Sequence, residues 1–187
     1  KIQLEGVARI PPQEAPQRIA QCIEMTVHAL ERVRQLSFSL RPLQLDDLGL
    51  VAALRSHLDR QASIGELAPH FEARAVPEHL PGEIQTACFR IAQEAINNVL
   101  RHARARNLWL SVRGERGALG LEIRDDGCGF DAEAARRRSA AGASLGLVGM
   151  EERVAFAGGT LELRTAVGQG TRLLATFPIE PKTGEPH

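Results

Sequence analysis

Glu94, Asn98, Arg101 and His102 follow one another at steps of four, three and one, in a stretch free of helix breakers that runs from Pro81 to about His102. On a helix these steps gather the four side chains on one polar face. A carboxylate and an amide one turn apart both offer oxygen, the donor that hard cations prefer. Mg²⁺ in particular takes few protein oxygens and fills its shell with water and phosphate oxygens. Arg101 and His102 beside them could then meet phosphates. The same four residues also suit a solvated helix face, and spacing alone does not choose.

Three further groups have chemical content. Asp125-Asp126-Gly127-Cys128-Gly129-Phe130 closes a strand pattern. A carboxylate fixed there can accept a hydrogen bond from an exocyclic amine, which adenine presents and guanine replaces by an acceptor. Gly127 and Gly129 permit a sharp bend and close approach of a ligand, although Asp-Gly is equally at home in a plain tight turn. Ser144-Leu145-Gly146-Leu147-Val148-Gly149-Met150 opens a helix, where free N–H groups bind phosphate oxygens. Gly168-Gln169-Gly170-Thr171 reads as a hairpin turn whose hydroxyl can reach a ligand. A Walker A loop and an EF-hand loop are both absent. No strand leads straight into Gly146–Gly149 as a dinucleotide fingerprint requires.

The elements that must carry these groups are legible from periodicity. Between Gln17 and Leu40 there is no Gly or Pro, and apolar residues recur at Ile19, Ile23, Thr26 or Val27, Leu30, Val33, Leu36 or Ser37, and Leu40. This predicts a long helix, either a core helix or one arm of a helical hairpin. Pro42 ends it. Asp46 or Asp47 can cap the next helix, through Leu50, Leu54 and Leu58. A short strand is expected near Pro69 to Ala75. The helix after Pro81 has an apolar face of Ile84, Ala87, Cys88, Ile91 and Ala95. Leu108–Val112 and Leu119–Ile123 alternate as a hairpin turning at Gly114–Gly117. Residues 127–145, rich in Gly, Ala, Ser and Arg, read as a mobile loop. A helix from about Leu147 to Phe156 stops at Gly158 and Gly159, and a last hairpin pairs Thr160–Arg164 with Thr171–Phe177. The predicted class is α+β, a two-layer sandwich with helices on one face of a mixed, mostly antiparallel sheet, preceded by a long helix.

Composition narrows the function. Hydrophobic residues make up 43% of the 187, enough for a packed core. Lys plus Arg and Asp plus Glu both number 23, so no broad basic surface for nucleic acid or anionic lipid is expected. Cys22, Cys88 and Cys128 are far apart and form no CxxC pair, so neither a zinc site nor a disulfide framework is indicated. A reducing, cytoplasmic setting follows. No apolar run reaches the length of a membrane span. The chain starts at Lys1 in mid-pattern, compatible with a trimmed piece of a membrane-anchored parent.

In order and spacing, the four groups resemble the N, G1, G2 and terminal Gly-Thr boxes of the histidine-kinase ATPase domain, from the superfamily that also holds gyrase B, Hsp90 and MutL. The likeness covers roughly residues 45–178. Ser39-Leu40-Arg41-Pro42, Leu45-Asp46-Asp47-Leu48-Gly49-Leu50 and Ala52-Ala53-Leu54 resemble the junction in the kinases that partner NarL-type response regulators. That resemblance implies a Bergerat-type ATP-binding fold over residues 43–180. It makes residues 1–42 a remnant of the dimerising, histidine-bearing hairpin, with its second helix at 17–40, and leaves a tail at 181–187. It also implies homodimerisation of the intact kinase and a response regulator as partner.

The resemblance further implies ATP and Mg²⁺ as cofactors. Asp125 would bind the adenine amine, backed by Thr171. Asn98 would ligate Mg²⁺, with Glu94 as its paired carboxylate and Arg101 and His102 near the phosphates. Residues 127–145 would form the ATP lid, with Gly146 and Gly149 at its far hinge, and Gly127, Gly129, Gly146, Leu147 and Gly149 would count among the nucleotide-binding positions. The family's phosphoacceptor box, His followed by an acidic residue, does not occur in the chain. The piece is therefore expected to bind ATP without phosphorylating itself. Ser144 stands where that family often has glycine. Two rivals stay open: a clamp-type ATPase using Glu94 as base for water, and a non-enzymatic pairing module with a degenerate pocket.

Overall fold

The computed structural model describes residues 42–135 and 146–179, together with Ile19 and Thr26, which are helical. The rest of the expected helix 17–40, residues 1–16, the loop residues 136–145 with Ser144, and the tail 181–187 lie outside the described residues. Two units divide the chain, Lys1–Leu40 and Arg41–His187, and the second contains everything below.

It opens with α1 (Leu43–Ile64), which is broken at Gly49, where φ is 71° and ψ 170°. Pro42 precedes the first turn in an extended conformation, and its carbonyl accepts from Leu45 N at 2.9 Å. The expected start at Asp46 or Asp47 thus falls within a preliminary turn, and the longer helical run begins after Gly49. Left-handed backbone of this kind is tolerable because the position is glycine. Leu50, Leu54 and Leu58 then face the core as their spacing requires.

β1 (Ala68–Arg74) follows, then α2 (Gly82–Asn98) behind Pro81, and a π-helical turn Val99–Ala103. β2 (Asn107–Glu115) and β3 (Ala118–Asp125) form a hairpin. Its two loop residues, Arg116 and Gly117, have φ of 48° and 78°, the doubly left-handed turn that matches strand twist. α3 (Gly146–Phe156), β4 (Thr160–Thr165) and β5 (Thr171–Pro178) complete the order. The loop after β3 contains a short helical turn at 132–135. Asp131 initiates it, accepting from Ala134 N at 3.0 Å through Oδ1.

The sheet runs β1-β2-β3-β5-β4. β1 and β2 are parallel, and the other neighbours are antiparallel. A parallel pair needs a crossover, and α2 provides it. Leu108, Leu110 and Val112 of β2 alternate inward, as do Leu119, Leu121 and Ile123 of β3 and Leu173, Ala175 and Phe177 of β5. These side chains form one buried layer against the helices. On the reverse face, Arg172 meets Glu122 at 2.9 and 3.0 Å, Arg113 meets Glu72 at 2.6 Å, and Trp109 stacks on His70. His57 belongs to the core: it is 8% exposed and tilts against Phe89. His70 and His79 are at the surface, Cys88 is buried and Cys128 is exposed.

Candidate nucleotide-binding cleft

A cleft of about 570 Å³ opens between the C-terminal part of α2, the adjoining ends of β3 and β5, and the start of α3. Its walls hold Glu94, Asn98, His102, Asp125, Gly129 and Thr171, with Gly146 and Leu147 on the α3 side. Eight positions named from sequence therefore meet at one place. Arg101, Gly127 and Gly149 do not line it.

The position of Arg101 has a backbone cause. Asn98 is the last residue of α2, and the chain then widens into the π-helical turn. A turn closed by i→i+5 bonds carries more residues than the 3.6 of an α-helix. The residue four beyond Asn98 thus stays on its face, while the residue three beyond swings away. His102 lines the cleft and Arg101 is exposed outside it. Arg104, in left-handed conformation at φ 52°, ends the helix.

Asp125 is 4% exposed at the last position of β3 and pairs directly with Thr171, the first residue of β5. Its Oδ1 accepts from Gly127 N at 2.8 Å. Burial pushes the carboxyl above the usual carboxylate range, against the pull of the Gly127 amide and the Thr171 hydroxyl. A desolvated acceptor held from two sides has a fixed direction and a strong demand for a donor. Gly127 contributes through this amide rather than by lining the cleft. A Cβ there would also strike the Ala103 carbonyl and side chain.

At the other end, Glu94 and Asn98 converge on the first residue of α3. A side chain at Gly146 would collide with Glu94 Oε1 and approach Asn98 Nδ2 at 3.7 Å. Glycine is what lets α3 start against this carboxylate–amide pair. No group of three or more His, Cys, Asp or Glu side chains able to hold a metal occurs among the described residues. Glu94 and Asn98 alone make an incomplete cation shell, which suits an ion that brings phosphate and water ligands with it.

Between the two ends the floor is apolar: Ala95, Val99, Ile123, Met150, Leu163 and Leu173, with Phe130 at the rim. Reading polar boxes does not reveal this floor. Strand alternation does, since Ile123 precedes Asp125 by two and Leu173 follows Thr171 by two, placing each on the same side as its neighbour. Oriented polar groups at the margins of an apolar slot are the usual layout of a site for a flat heterocycle.

Helices over one face of a mixed sheet, with this cleft between the layers, define the class as an ATPase-type nucleotide-binding domain. The chain belongs to the histidine kinase-, DNA gyrase B-, and HSP90-like ATPase family, whose model matches residues 83–181. It is 31% identical over 166 residues to the signal transduction histidine-protein kinase/phosphatase DegS of Brevibacillus brevis, covering 89% of this chain and 42% of that one. It is 36% identical over 156 residues to the sensor histidine kinase MctS of Rhizobium johnstonii, covering 83% and 33%. The chain thus spans well under half the length of these relatives. Its fold resembles that of the histidine kinase domain from the Erythrobacter litoralis EL346 blue-light activated histidine kinase, with TM-score 0.58, 20% identity, and coverage of 95% and 93%. No helix among the described residues is long and apolar enough to cross a membrane.

Proposed function

We propose that this chain is the ATP-binding catalytic domain of a sensor histidine kinase. It would present the γ-phosphoryl of ATP to a histidine outside the chain, from which the group passes to a response-regulator aspartate. The observation that carries the reading is the cleft itself. A buried carboxylate backed by a hydroxyl stands at one end, a carboxylate–amide pair at the other, and an apolar floor separates them.

In this reading the Asp125 carboxylate accepts the adenine N6 amine, and Thr171 with the Gly127 amide holds it in place. The ring lies on the apolar floor, which excludes water and makes the polar contact stronger. Asn98 and Glu94 would hold Mg²⁺, which when bound would supply charge neutralisation for the phosphates, and the protein contributes position rather than a covalent intermediate. His102 faces the phosphates. Residues 127–145 form the ATP lid, with Gly146 and Gly149 at its far hinge. Residues 1–42 belong to the helical hairpin through which the intact kinase dimerises, its regulator is of the NarL type, and the domain works in the cytoplasm.

Calorimetry with ATP, with and without Mg²⁺, tests the reading, followed by phosphotransfer to a separately supplied histidine-bearing hairpin. Saturable, Mg²⁺-enhanced binding and label transfer are expected. Absence of ATP binding would remove the reading. Steady hydrolysis in the absence of any histidine acceptor would instead support a clamp-type ATPase with Glu94 as base.

A further inference from the structure

Thr165, the last residue of β4, does not line the cleft, yet its hydroxyl joins two segments that do. It donates to Gly170 O at 2.9 Å, accepts from Phe130 N at 3.1 Å, and lies 3.4 Å from Thr171 Oγ1. Phe130, on the loop after β3, lines the cleft, and Gly170 and Thr171 stand beside Asp125. We infer that Thr165 is a positioning residue for nucleotide binding, setting the place of Phe130 and the backing of Asp125 through one hydroxyl.

The surroundings make this hydroxyl the adjustable member of a rigid clamp. The segment Gly127–Phe130 is held on one side by the π-helical turn, where Cys128 N donates to Ala103 O at 2.7 Å. On the other side Gly168 N donates to Cys128 O at 2.6 Å. Gly129, at φ 55°, sits so close that a Cβ would strike Ala166 O and come within 2.8 Å of Gly170 O. Main-chain contacts therefore fix Cys128 and Gly129 whatever the side chains. Beyond Gly127, whose amide is held by Asp125, Phe130 is the residue of this segment whose amide depends on a side chain, and that side chain is Thr165. A part-buried amide deprived of its acceptor would seek another partner, and Phe130 would move with it. Thr171 would lose a neighbouring hydroxyl in the same event.

This inference rests on the nucleotide-site reading above, and its test separates the two. Nucleotide affinity and nucleotide-free thermal stability are measured for the unaltered chain, Thr165→Val and Thr165→Ser, with Mg²⁺-ATP as probe. Valine keeps the branched shape and removes the hydroxyl; serine keeps the hydroxyl and removes the methyl. Thr165→Val should bind about five- to tenfold more weakly, the worth of a lost hydrogen bond, and Thr165→Ser should restore binding to within about twofold even where its stability is the lower of the two. Affinity that tracks stability across both variants, or that is equal in all three chains, overturns the role of Thr165 while leaving the site intact. No binding by the unaltered chain overturns both. Amide exchange at Phe130 in the unaltered chain gives a variant-free check. Mg²⁺-ATP should slow it, and unchanged exchange at saturating nucleotide counts against the inference.

Discussion

Asp125 and Asp126 are consecutive and point to opposite sides of the end of β3. Asp125 is buried beneath the cleft. Asp126 is exposed, and its Oδ1 accepts from the backbone amides of Arg106 and Asn107, both at 2.8 Å, while Oδ2 accepts from Asn107 Nδ2 at 2.7 Å. One carboxylate thus ties the end of β3 to the start of β2, leaving its neighbour free for a ligand. The period-two geometry of a strand permits this division, and the two acids carry opposite energetic signs.

Asp125→Asn should weaken ATP binding by about 1.5–3 kcal/mol, the worth of a hydrogen bond to a charged group. The same change should stabilise the nucleotide-free chain at pH 7. Burial raises the Asp125 carboxyl above its ordinary value, so the folded state binds the proton more readily than the unfolded one. Stability therefore falls as pH rises through that raised value. Calorimetry and thermal denaturation measured on one preparation check both halves. An unchanged adenine affinity would contradict the placement of adenine.

Asn98→Ala should lose the Mg²⁺-dependent part of nucleotide affinity and spare Mg²⁺-free adenosine binding, because Asp125 lies at the other end of the cleft and the apolar floor between them keeps its side chains. Titrations of ATP and adenosine with and without Mg²⁺ read the difference. Equal loss for both ligands would point to a damaged fold.

Gly146→Ala places a methyl group against the Glu94 carboxylate. At the start of a helix the change is tolerable for the backbone, and alanine is the better helix former. Fold stability should hold or rise, while Mg²⁺-nucleotide affinity drops by about tenfold or more as Glu94 is displaced. Comparing thermal midpoints with nucleotide titrations gives the answer, and full retention of binding would dissociate Glu94 from the metal.

Acid should act in two windows. His57 is buried and its Nε2 has no hydrogen-bond partner. Burial first, then the charge of Arg60, lowers its pKa below the ordinary 6.5. The unfolded chain then takes up the proton first, so stability declines as pH falls below about 6.5. Asp126 is held down to about 2 from 3.8, chiefly by the Asn107 side chain and amide. Its contribution is complete above about 4 and disappears as pH falls through about 2. His57→Leu should flatten the upper limb of a stability–pH curve, and Asn107→Ala should move the lower limb to higher pH. Chemical denaturation at stepped pH separates the limbs.

Much of this was legible in the sequence because its signals are local. Both hairpins follow from alternation and from glycines at their turns, and α2 and α3 from their breakers. The gathering of Glu94, Asn98, Asp125 and Thr171 at one site is implied by the family resemblance that the four boxes carry, not by the spacing of any one of them. What escaped depends on context. Val99–Ala103 has no composition that announces a wider turn, so helical spacing puts Arg101 on the face of His102 while the folded chain turns it out of the cleft. Gly49 reads as one more glycine until its left-handed backbone divides α1. Thr165 ends a strand like many threonines, and only the folded chain brings it to Phe130 and Gly170. The apolar floor is assembled from six elements, α2, the π-helical turn, β3, α3, β4 and β5, and no single window of sequence contains it.

The parallel pairing of β1 with β2 has a mechanical consequence. The chain between them must cross back over the sheet, so α2 is leashed to the strands at both of its ends. A nucleotide gripping α2 at its phosphates and β3 at its base would act as a rivet through the two layers. Occupancy would then lock their relative motion, and the melting temperature of the domain should climb with nucleotide concentration as mass action demands.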